Sequence, residues 1–390
     1  MRYKNVTAIL AALTAGTLAH GAGFGIYEWS PSAIATGGTL LGNPRDASAA
    51  WLNPAGMTKL DGTRLFLGGT YITRDSTVQI GPYGTPMKRQ SFLIPAFYAT
   101  HALTDRASLG LATTTEYGMG TKFPTDWPGR WSNIETSILS VSISPTFAYA
   151  VLDNLSLGAG PRFMYFDFAN ERNIGVPLEL SGDSWGYGGV FSLLWDIVPD
   201  LSFGLVYRTG VKQEISGRAR APIPALYGPG GGTLHLPAAT TGGLNWQATE
   251  KLNLGVSATF TQWSSYDKLH IRINNAGDPD QKSWKNVWRF GAGGTYALTD
   301  AFNVMAGYVY DMDPINAKHT DYMLPPGDRH ILGTGFSYAF SDNWEFSLGY
   351  SFIYMETRFR NVHAPTGASV PSKFKDSNAH MVSTAVSYKF

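Results

Sequence analysis

The stretch Ser140-Val141-Ser142-Ile143-Ser144-Pro145-Thr146-Phe147-Ala148-Tyr149-Ala150-Val151 alternates with period two. A short polar turn, Leu152-Asp153-Asn154, follows, and then Leu155-Ser156-Leu157-Gly158-Ala159-Gly160-Pro161-Arg162-Phe163-Met164-Tyr165 alternates again. One face of each run is apolar and the other small or polar, which is the pattern of a strand between two different environments. Two such runs around a tight turn predict an antiparallel hairpin. The same unit recurs around Thr104-Asp105-Arg106, Val198-Pro199-Asp200, Thr249-Glu250-Lys251, Thr299-Asp300-Ala301 and Ser341-Asp342-Asn343, at intervals of about 42–50 residues. Each interval holds two strands and one long loop.

Six short turns imply twelve flanking strands. One more precedes them, around Arg64 to Gln79, and one follows, around Asn378 to Phe390. The reading is therefore all-β: a 14-stranded antiparallel barrel, closed because an even count leaves no exposed edge. Tyr149, Trp195, Trp246, Tyr296, Tyr338 and Phe340 lie close to the short turns, as an interfacial girdle would. The last residues, Val386-Ser387-Tyr388-Lys389-Phe390, alternate and end on an aromatic ring.

Composition agrees with a barrel in a membrane. Of 390 residues only 15% are charged, against about 25% in soluble domains. There are 44 Gly, 11 Trp, 20 Tyr and 21 Phe, and mean hydropathy is only −0.11. Strands with one lipid face and one lumen face give that average. Thirty basic and 29 acidic residues leave no field that would recruit nucleic acid. Cysteine is absent, and the eight His show no metal spacing, so neither metal nor cofactor is expected.

Residues 1–21 read as a secretory signal peptide. Arg2 and Lys4 precede the apolar run Val6 to Leu18, and Ala19-His20-Gly21 supplies small residues for cleavage before Ala22. The run is too short to span a bilayer as a helix. Residues 22–61 lack strand alternation and are rich in small residues, among them Ala35-Thr36-Gly37-Gly38 and Asp46-Ala47-Ser48-Ala49-Ala50. They are expected to fold as a hatch inside the barrel formed by residues 62–390.

Three segments in order resemble the FadL family of outer-membrane transporters: Ala22-Gly23-Phe24 with Glu28 soon after; Asn53-Pro54-Ala55 just before the first strand; and Glu116-Tyr117-Gly118-Met119-Gly120-Thr121-Lys122-Phe123 at the end of the third strand. Glu116 stands where a Pro or small residue is expected. The resemblance implies passive uptake of long-chain fatty acids or similar hydrocarbons and aromatics into the outer membrane of a Gram-negative bacterium. It implies an inner pocket touched by the first hatch residues, here Phe24 and Ile26, a hatch that rearranges, and lateral exit at a kink in the third strand. Asn53, Pro54, Ala55, Gly118 and Gly120 would serve as gating residues, with Asn53-Pro54-Ala55 covering the gap left by a bend at Gly118 to Gly120.

The residues themselves offer binding candidates. Residues 119–135 contain Met119, Phe123, Trp127 and Trp131, and residues 219–236 contain Leu226 and Tyr227, which makes two long loops unusually apolar. A lid whose seam is apolar also makes a groove. Strand parity places Arg162, Arg208, Lys212 and Arg289 on the lumen face, with Glu116, Asp196, Glu214, Asp311 and Glu345. Arg162 or Arg208 is the expected partner of a carboxylate headgroup; the competing role is pairing with barrel acids or with Asp46 and Glu28 of the hatch. The expected partners are a hydrophobic ligand, outer-membrane lipid and lipopolysaccharide, with a monomeric barrel. A general diffusion porin is the alternative, but it would need polar constriction loops and no plug. An enzyme would need a nucleophile or acid beside a positioned base, and none is visible.

Overall fold

The computed structural model describes residues 23–390 apart from 28, 275, 278, 365 and 366. The expected signal peptide and the expected hatch partner Glu28 lie outside the described residues. Among the described residues the chain forms 14 barrel strands. They are β1 (Thr63–Ile80), β2 (Gln90–Ala102), β3 (Ala107–Thr114 and Gly118–Lys122), β4 (Glu135–Leu152), β5 (Leu155–Asn173), β6 (Pro177–Val198) and β7 (Leu201–Arg208 and Val211–Arg220). Then follow β8 (Gly228–Leu236 and Ala239–Gln247), β9 (Leu252–Thr261 and Lys268–Ile273), β10 (Val287–Ala297), β11 (Phe302–Asp311), β12 (Arg329–Ala339), β13 (Trp344–Met355 and Arg358–His363) and β14 (Ser369–Lys389). Each pairs with the next, antiparallel, and β1 closes on β14 from Arg64 opposite Lys389 to Ile80 opposite Ser372. Closure leaves every strand paired, as a wall in hydrocarbon requires.

The alternation read from sequence is the in–out alternation of the wall. In β4, Ser140, Ser142, Ser144 and Thr146 are buried while Phe147 and Tyr149 face out. All six girdle aromatics are exposed, from 42% at Tyr296 and Tyr338 to 62% at Phe340, and sit by the short turns.

Five strands are interrupted, and interruptions reset the phase. Between Arg208 and Val211 the break at Thr209-Gly210 reverses parity, so Val211 and Gln213 point inward and Lys212 and Glu214 point out. The lumenal placement expected for Lys212 and Glu214 is thus corrected: an irregular residue pair flips every later side chain. Arg162, Arg208, Arg289 and Asp311 are buried inside, as parity predicts. The second apolar loop also shrinks. Gly228–Leu236 is strand, and Leu234 and Leu236 are core. Only Ala221–Tyr227 remains as the turn.

Residues 23–62 run along the lumenal face of this wall. Helix α1 (Pro31–Thr36) is capped by the Ser30 hydroxyl, which accepts from the Ala33 amide, and by Gly37 at φ +73°. A short turn, α2 (Ala49–Leu52), leads through Asn53 into a 3₁₀ segment, Pro54–Lys59. The wall meets this chain with glycine. A Cβ would collide with Pro31 at Gly349, with Ile34 at Gly333, with Thr36 at Gly307 and Gly293, with Thr39 at Gly255 and with Leu41 at Gly204. Further along, Gly158 lies against Ala55 and Gly110 against Met57. In order, the segment follows β13, β12, β11, β10, β9, β7, β5 and β3, with its backbone against each strand except β3, where the Met57 and Ala50 side chains meet Gly110. Ala35, Ala55 and Met57 have no exposed surface.

Candidate functional site

The third strand is broken at Thr115-Glu116-Tyr117. Thr114 pairs with Ser142 of β4 and Gly118 with Leu139, so β3 carries one residue more than its partner across the break. This extra residue is a bulge. The bend therefore precedes Gly118; Gly118 to Lys122 are paired again with β4, which corrects the expected bend at Gly118–Gly120. On the other side, β2 pairs with β3 only from Phe97 opposite Thr113 to Ala102 opposite Ser108. Beyond that, among the described residues, Gln90–Ala96 pair with β1 alone, until the Lys88 amide reaches the Lys122 carbonyl at 2.7 Å. The wall has a window between these two points.

The backbone groups freed by the break are satisfied from inside. The Ile26 amide donates to the Glu116 carbonyl at 2.8 Å, and the Gly118 amide donates to the Phe24 carbonyl at 3.0 Å. The Ser140 hydroxyl accepts from the Tyr117 amide at 2.9 Å. The cover of the window is thus Phe24–Ile26. Asn53-Pro54-Ala55 lies elsewhere: the Asn53 side chain donates to the carbonyls of Leu41 and Leu193, and the Ala55 amide to the Ser192 hydroxyl. Those contacts hold it on β6, and Gly158 of β5 abuts the Ala55 and Pro54 backbone. The expected cover failed because short-range order along the chain does not report which hatch residues cross the lumen.

Phe24 is held by rings. Its centroid lies 4.9 Å from Trp263, 5.7 Å from Tyr117 and from Trp284, and 5.9 Å from Tyr266. Edge-to-face pairs of this kind add about 0.5–1.5 kcal/mol each beyond burial. Trp263, Tyr266 and Trp284 escaped the sequence reading because they lie in or after the break in β9, where period two is lost.

An inner cavity of about 340 Å³ runs between this ring box and the window. Phe24, Ile26, Leu324, Ile353 and Met381 form its lumenal side, and Phe92, Leu93, Gly118, Gly120 and Leu139 its side at the wall. Leu93 is 69% exposed and Leu139 46%, on the lipid face. The Phe92 ring rests on Gly120, where a Cβ would come within 2.2 Å of it; a Cβ on Gly118 would come within 2.6 Å of Ile26.

A second, outer groove of about 840 Å³ opens between the long loops. Trp131, Leu178, Leu226, Leu269, Ile271 and Met323 give it apolar walls. Of the loop residues expected to bind, Trp131 and Leu226 line it. Phe123 and Trp127 do not; they stack on each other at 4.1 Å and are buried with Tyr322 and Phe374 as the core of the lid. Tyr227 is exposed at 53% outside the groove. Met119 is placed by its backbone opposite Ile138. Two consecutive residues of the β11–β12 loop separate the cavities: Met323 faces the groove and Leu324 the inner cavity. That loop is tied down where the Met323 carbonyl accepts from Thr121 and the Tyr322 carbonyl from Asn133, each at 3.0 Å. At its base the buried Asp313 carboxyl accepts from the Ile315 and Gly327 amides, and burial pushes it up to about 7. In the groove Lys282 is buried between Asp321 and Asp280, at 2.5 and 2.7 Å.

The lumenal arginines are engaged. Arg162 Nε lies 3.3 Å from Glu116 Oε1, and Arg162 Nη2 donates to the Thr209 carbonyl at 2.7 Å. Arg208 donates to the Trp51 carbonyl and stacks over the Trp51 and Trp29 rings. Arg289 donates to the Gly37 carbonyl and lies over the Tyr27 ring. Neither Arg162 nor Arg208 lines the inner cavity. Their expected headgroup role is replaced by bracing of the strand break and of the N-terminal segment. Asp46 holds the Ser48 amide.

A closed 14-stranded antiparallel barrel with lipid-facing aromatics, and with its N-terminal segment along the lumenal face, defines an outer-membrane β-barrel protein. A family model described as outer membrane protein transport protein (OMPP1/FadL/TodX) matches residues 12–390. The chain belongs to this family of Gram-negative outer-membrane proteins. It is 24% identical over 404 residues to a long-chain fatty acid transport protein of Salmonella typhi, covering 90% of this chain and 91% of that one. It is 23% identical to outer membrane protein P1 of Haemophilus influenzae, covering 88% of each. Among solved structures, a Pseudomonas aeruginosa FadL homologue superimposes with a TM-score of 0.86 at 20% identity, over 95% of this chain and all of that one. The toluene transporter TodX of P. putida superimposes with a TM-score of 0.75 at 16% identity, over 93% and 98%.

Proposed function

We propose that this protein carries hydrophobic small molecules, long-chain fatty acids or comparable hydrocarbons and aromatics, across the outer membrane without an energy source. A ligand is captured in the outer groove, passes Met323 and Leu324 into the inner cavity, and leaves sideways through the window between β2 and β3. The observation that carries this reading is the lining of the inner cavity. Leu93 and Leu139 face lipid and also bound a space that reaches Phe24 deep in the lumen. Each methylene moved from water into such a space gains about 0.8 kcal/mol, and none is lost on passing from the cavity to the bilayer. The names of the relatives, a fatty acid transport protein and a toluene transporter, fit the same ligand class.

In this reading residues 1–21 are removed on export, 22–61 act as the hatch, and 62–390 form the barrel. The barrel works as a monomer, surrounded by outer-membrane lipid and lipopolysaccharide. Only residues at the window move: the Ile26 and Phe92 side chains, one from the hatch and one from β2, swing away, and Phe24 leaves its ring box. Gly118→Trp would fill the window. Uptake of a labelled fatty acid or aromatic should fall to background while the folded variant still binds the ligand at its outer groove. Normal uptake by the folded variant overturns lateral exit.

A further inference from the structure

The outer wall beside the window carries a charge pattern of its own. Along β14, Ser372 and Phe374 are buried on the lumenal side, so Lys373 and Lys375 stand on the outer face. Val386 lies beside the Trp344 and Tyr388 rings at the short-turn end, and Lys375 is 11 residues from it. At about 3.3 Å per residue and a tilt of about 40°, that distance is roughly 28 Å along the membrane normal, just past an apolar band of about 25 Å. Lys375 therefore stands at the level of the outer headgroups. Around the same rim are Lys373, Arg89, Lys122 and the exposed Lys88, whose amide closes the top of the window on the Lys122 carbonyl. Arg89 pairs with Asp75 at 3.0 Å, Lys375 with Asp376 at 3.2 Å, and Lys122 with Glu135. Among the described residues Lys88 and Lys373 pair with no carboxylate. Five cations thus face three carboxylates. The flank over β5 and β6 has the opposite sign: Asp167 lies opposite Asp183 and Glu171 opposite Glu179, with Arg220 4.0 Å from Glu179.

The basic rim also has the other surfaces of an amphiphile site. Lys373 lies over the exposed Phe359 ring at 5.1 Å, and with Gln79 and Asn361 these two line a groove of about 430 Å³ at the rim. Below Arg89 the wall turns apolar, with Tyr71, Leu93 and Leu139 exposed to lipid. From top to bottom the wall offers a ring and amides for sugar, cations for phosphate, and an oily face for acyl chains. We infer that the rim over β1, β2 and β14 is a fixed binding site for the phosphorylated glycolipid of the outer leaflet, lipopolysaccharide. Lys88, Arg89, Lys373 and Lys375 hold its phosphates in charge-assisted hydrogen bonds, Phe359 packs against a sugar ring, and Gln79 and Asn361 bond its hydroxyls. Its acyl chains lie down the wall over Tyr71, Leu93 and the window. The acidic flank repels the same phosphates, so the lipid has one place on this side of the barrel. The site rests on the geometry of the wall and not on what the barrel carries.

The test uses the full-length mature protein in phosphatidylcholine nanodiscs, titrated with diphosphoryl lipid A and with its dephosphorylated form. Wild type should bind the diphosphoryl form about 10-fold or more tightly than the dephosphorylated one, and less tightly as salt rises. Lys88→Gln combined with Lys373→Gln should weaken the diphosphoryl form by about 10-fold or more and leave the dephosphorylated form within about twofold. Lys88→Arg with Lys373→Arg keeps both charges and should bind as wild type. Arg218→Gln removes an exposed cation from the acidic flank, opposite Ser181, and should change neither. The chain has no cysteine, so a fluorophore on Thr73→Cys, on the outer face of β1, reports position. Lipid A with brominated acyl chains should quench it, and the double glutamine variant should lose that quenching. Equal affinity of wild type for the two forms, equal loss in Arg218→Gln and in the double glutamine variant, or no quenching at Thr73→Cys overturns the site. None of these readouts depends on a transported ligand.

Discussion

The amide of Gly118 donates to the carbonyl of Phe24 at 3.0 Å, which makes the start of the described chain a part of the wall it closes. Phe24 and Gly118 are 94 positions apart, and the bond joins the two elements on which a sideways route depends. Opening the window breaks this bond and its neighbour from Ile26 to Glu116. The freed groups must then find water or ligand, because an unpaired backbone group in hydrocarbon costs several kcal/mol. The window is therefore closed at rest.

Phe24→Ala empties the box formed by Trp263, Trp284, Tyr117 and Tyr266. Phe→Ala in a packed site costs about 3–5 kcal/mol, and here the cost falls on a segment of a few residues. The variant should take up ligand faster and show more frequent open events in planar bilayer recordings. Phe24→Leu, which keeps most of the volume, should resemble wild type. Unchanged recordings and uptake for Phe24→Ala would mean that the two hydrogen bonds alone hold the segment.

Arg162→Gln and Arg208→Gln should act on stability and not on headgroup choice. Removing one partner of a buried ion pair costs about 3–5 kcal/mol, so Arg162→Gln leaves Glu116 without its cation beside the strand break. Both variants should unfold at lower temperature, seen as an earlier heat-induced mobility shift on electrophoresis. Both should lose equal affinity for dodecanoate and dodecanol. A selective loss of the acid in either would return that arginine to the ligand.

The lid loop should respond to pH through Asp313. Its carboxyl is held near 7 by burial, above the ordinary carboxylate range near 4. Such a group binds more protons folded than unfolded between those two values, so its contribution to stability is full below about 4 and is lost as pH rises through 7. Hydrogen exchange of the Asp321–Leu324 stretch should be slower at pH 5 than at pH 8, after correction for intrinsic rates. In Asp313→Asn that difference should vanish. An equal pH difference in the variant would place the titrating group elsewhere.

Much of the barrel is legible in the sequence because lipid and lumen impose a strict period of two. Ser140 to Val151 and Leu155 to Tyr165 show it without help from any other element. The site is less legible, because it is made where the period fails. Thr209-Gly210 turns Lys212 outward, and the break after Thr261 hides Trp263 and Tyr266 from any pattern. Along Thr63–Ile80 the residues around Thr73, Asp75 and Ser76 are polar on both faces, so no contrast marks the inward side. Phe123 and Trp127 read as an exposed apolar surface, yet burial under Tyr322 depends on a loop about 200 positions later. Contacts between loops and across the lumen leave no local trace.

The glycines that seat the N-terminal segment have a consequence for the permeability barrier of the cell. Gly349, Gly333, Gly307, Gly293, Gly255 and Gly204 let main chain rest on main chain along six of the fourteen strands. A seal made of side chains can breathe, as rotamers change in nanoseconds; a seal made of abutting backbones has no such freedom. Where the two backbones abut, side-chain motion opens no gap between the segment and the wall. On the proposed lateral route, an oily molecule would reach the bilayer through one flank while those contacts stay in place, and the cell would admit it without opening the axis of the pore to hydrophilic solutes.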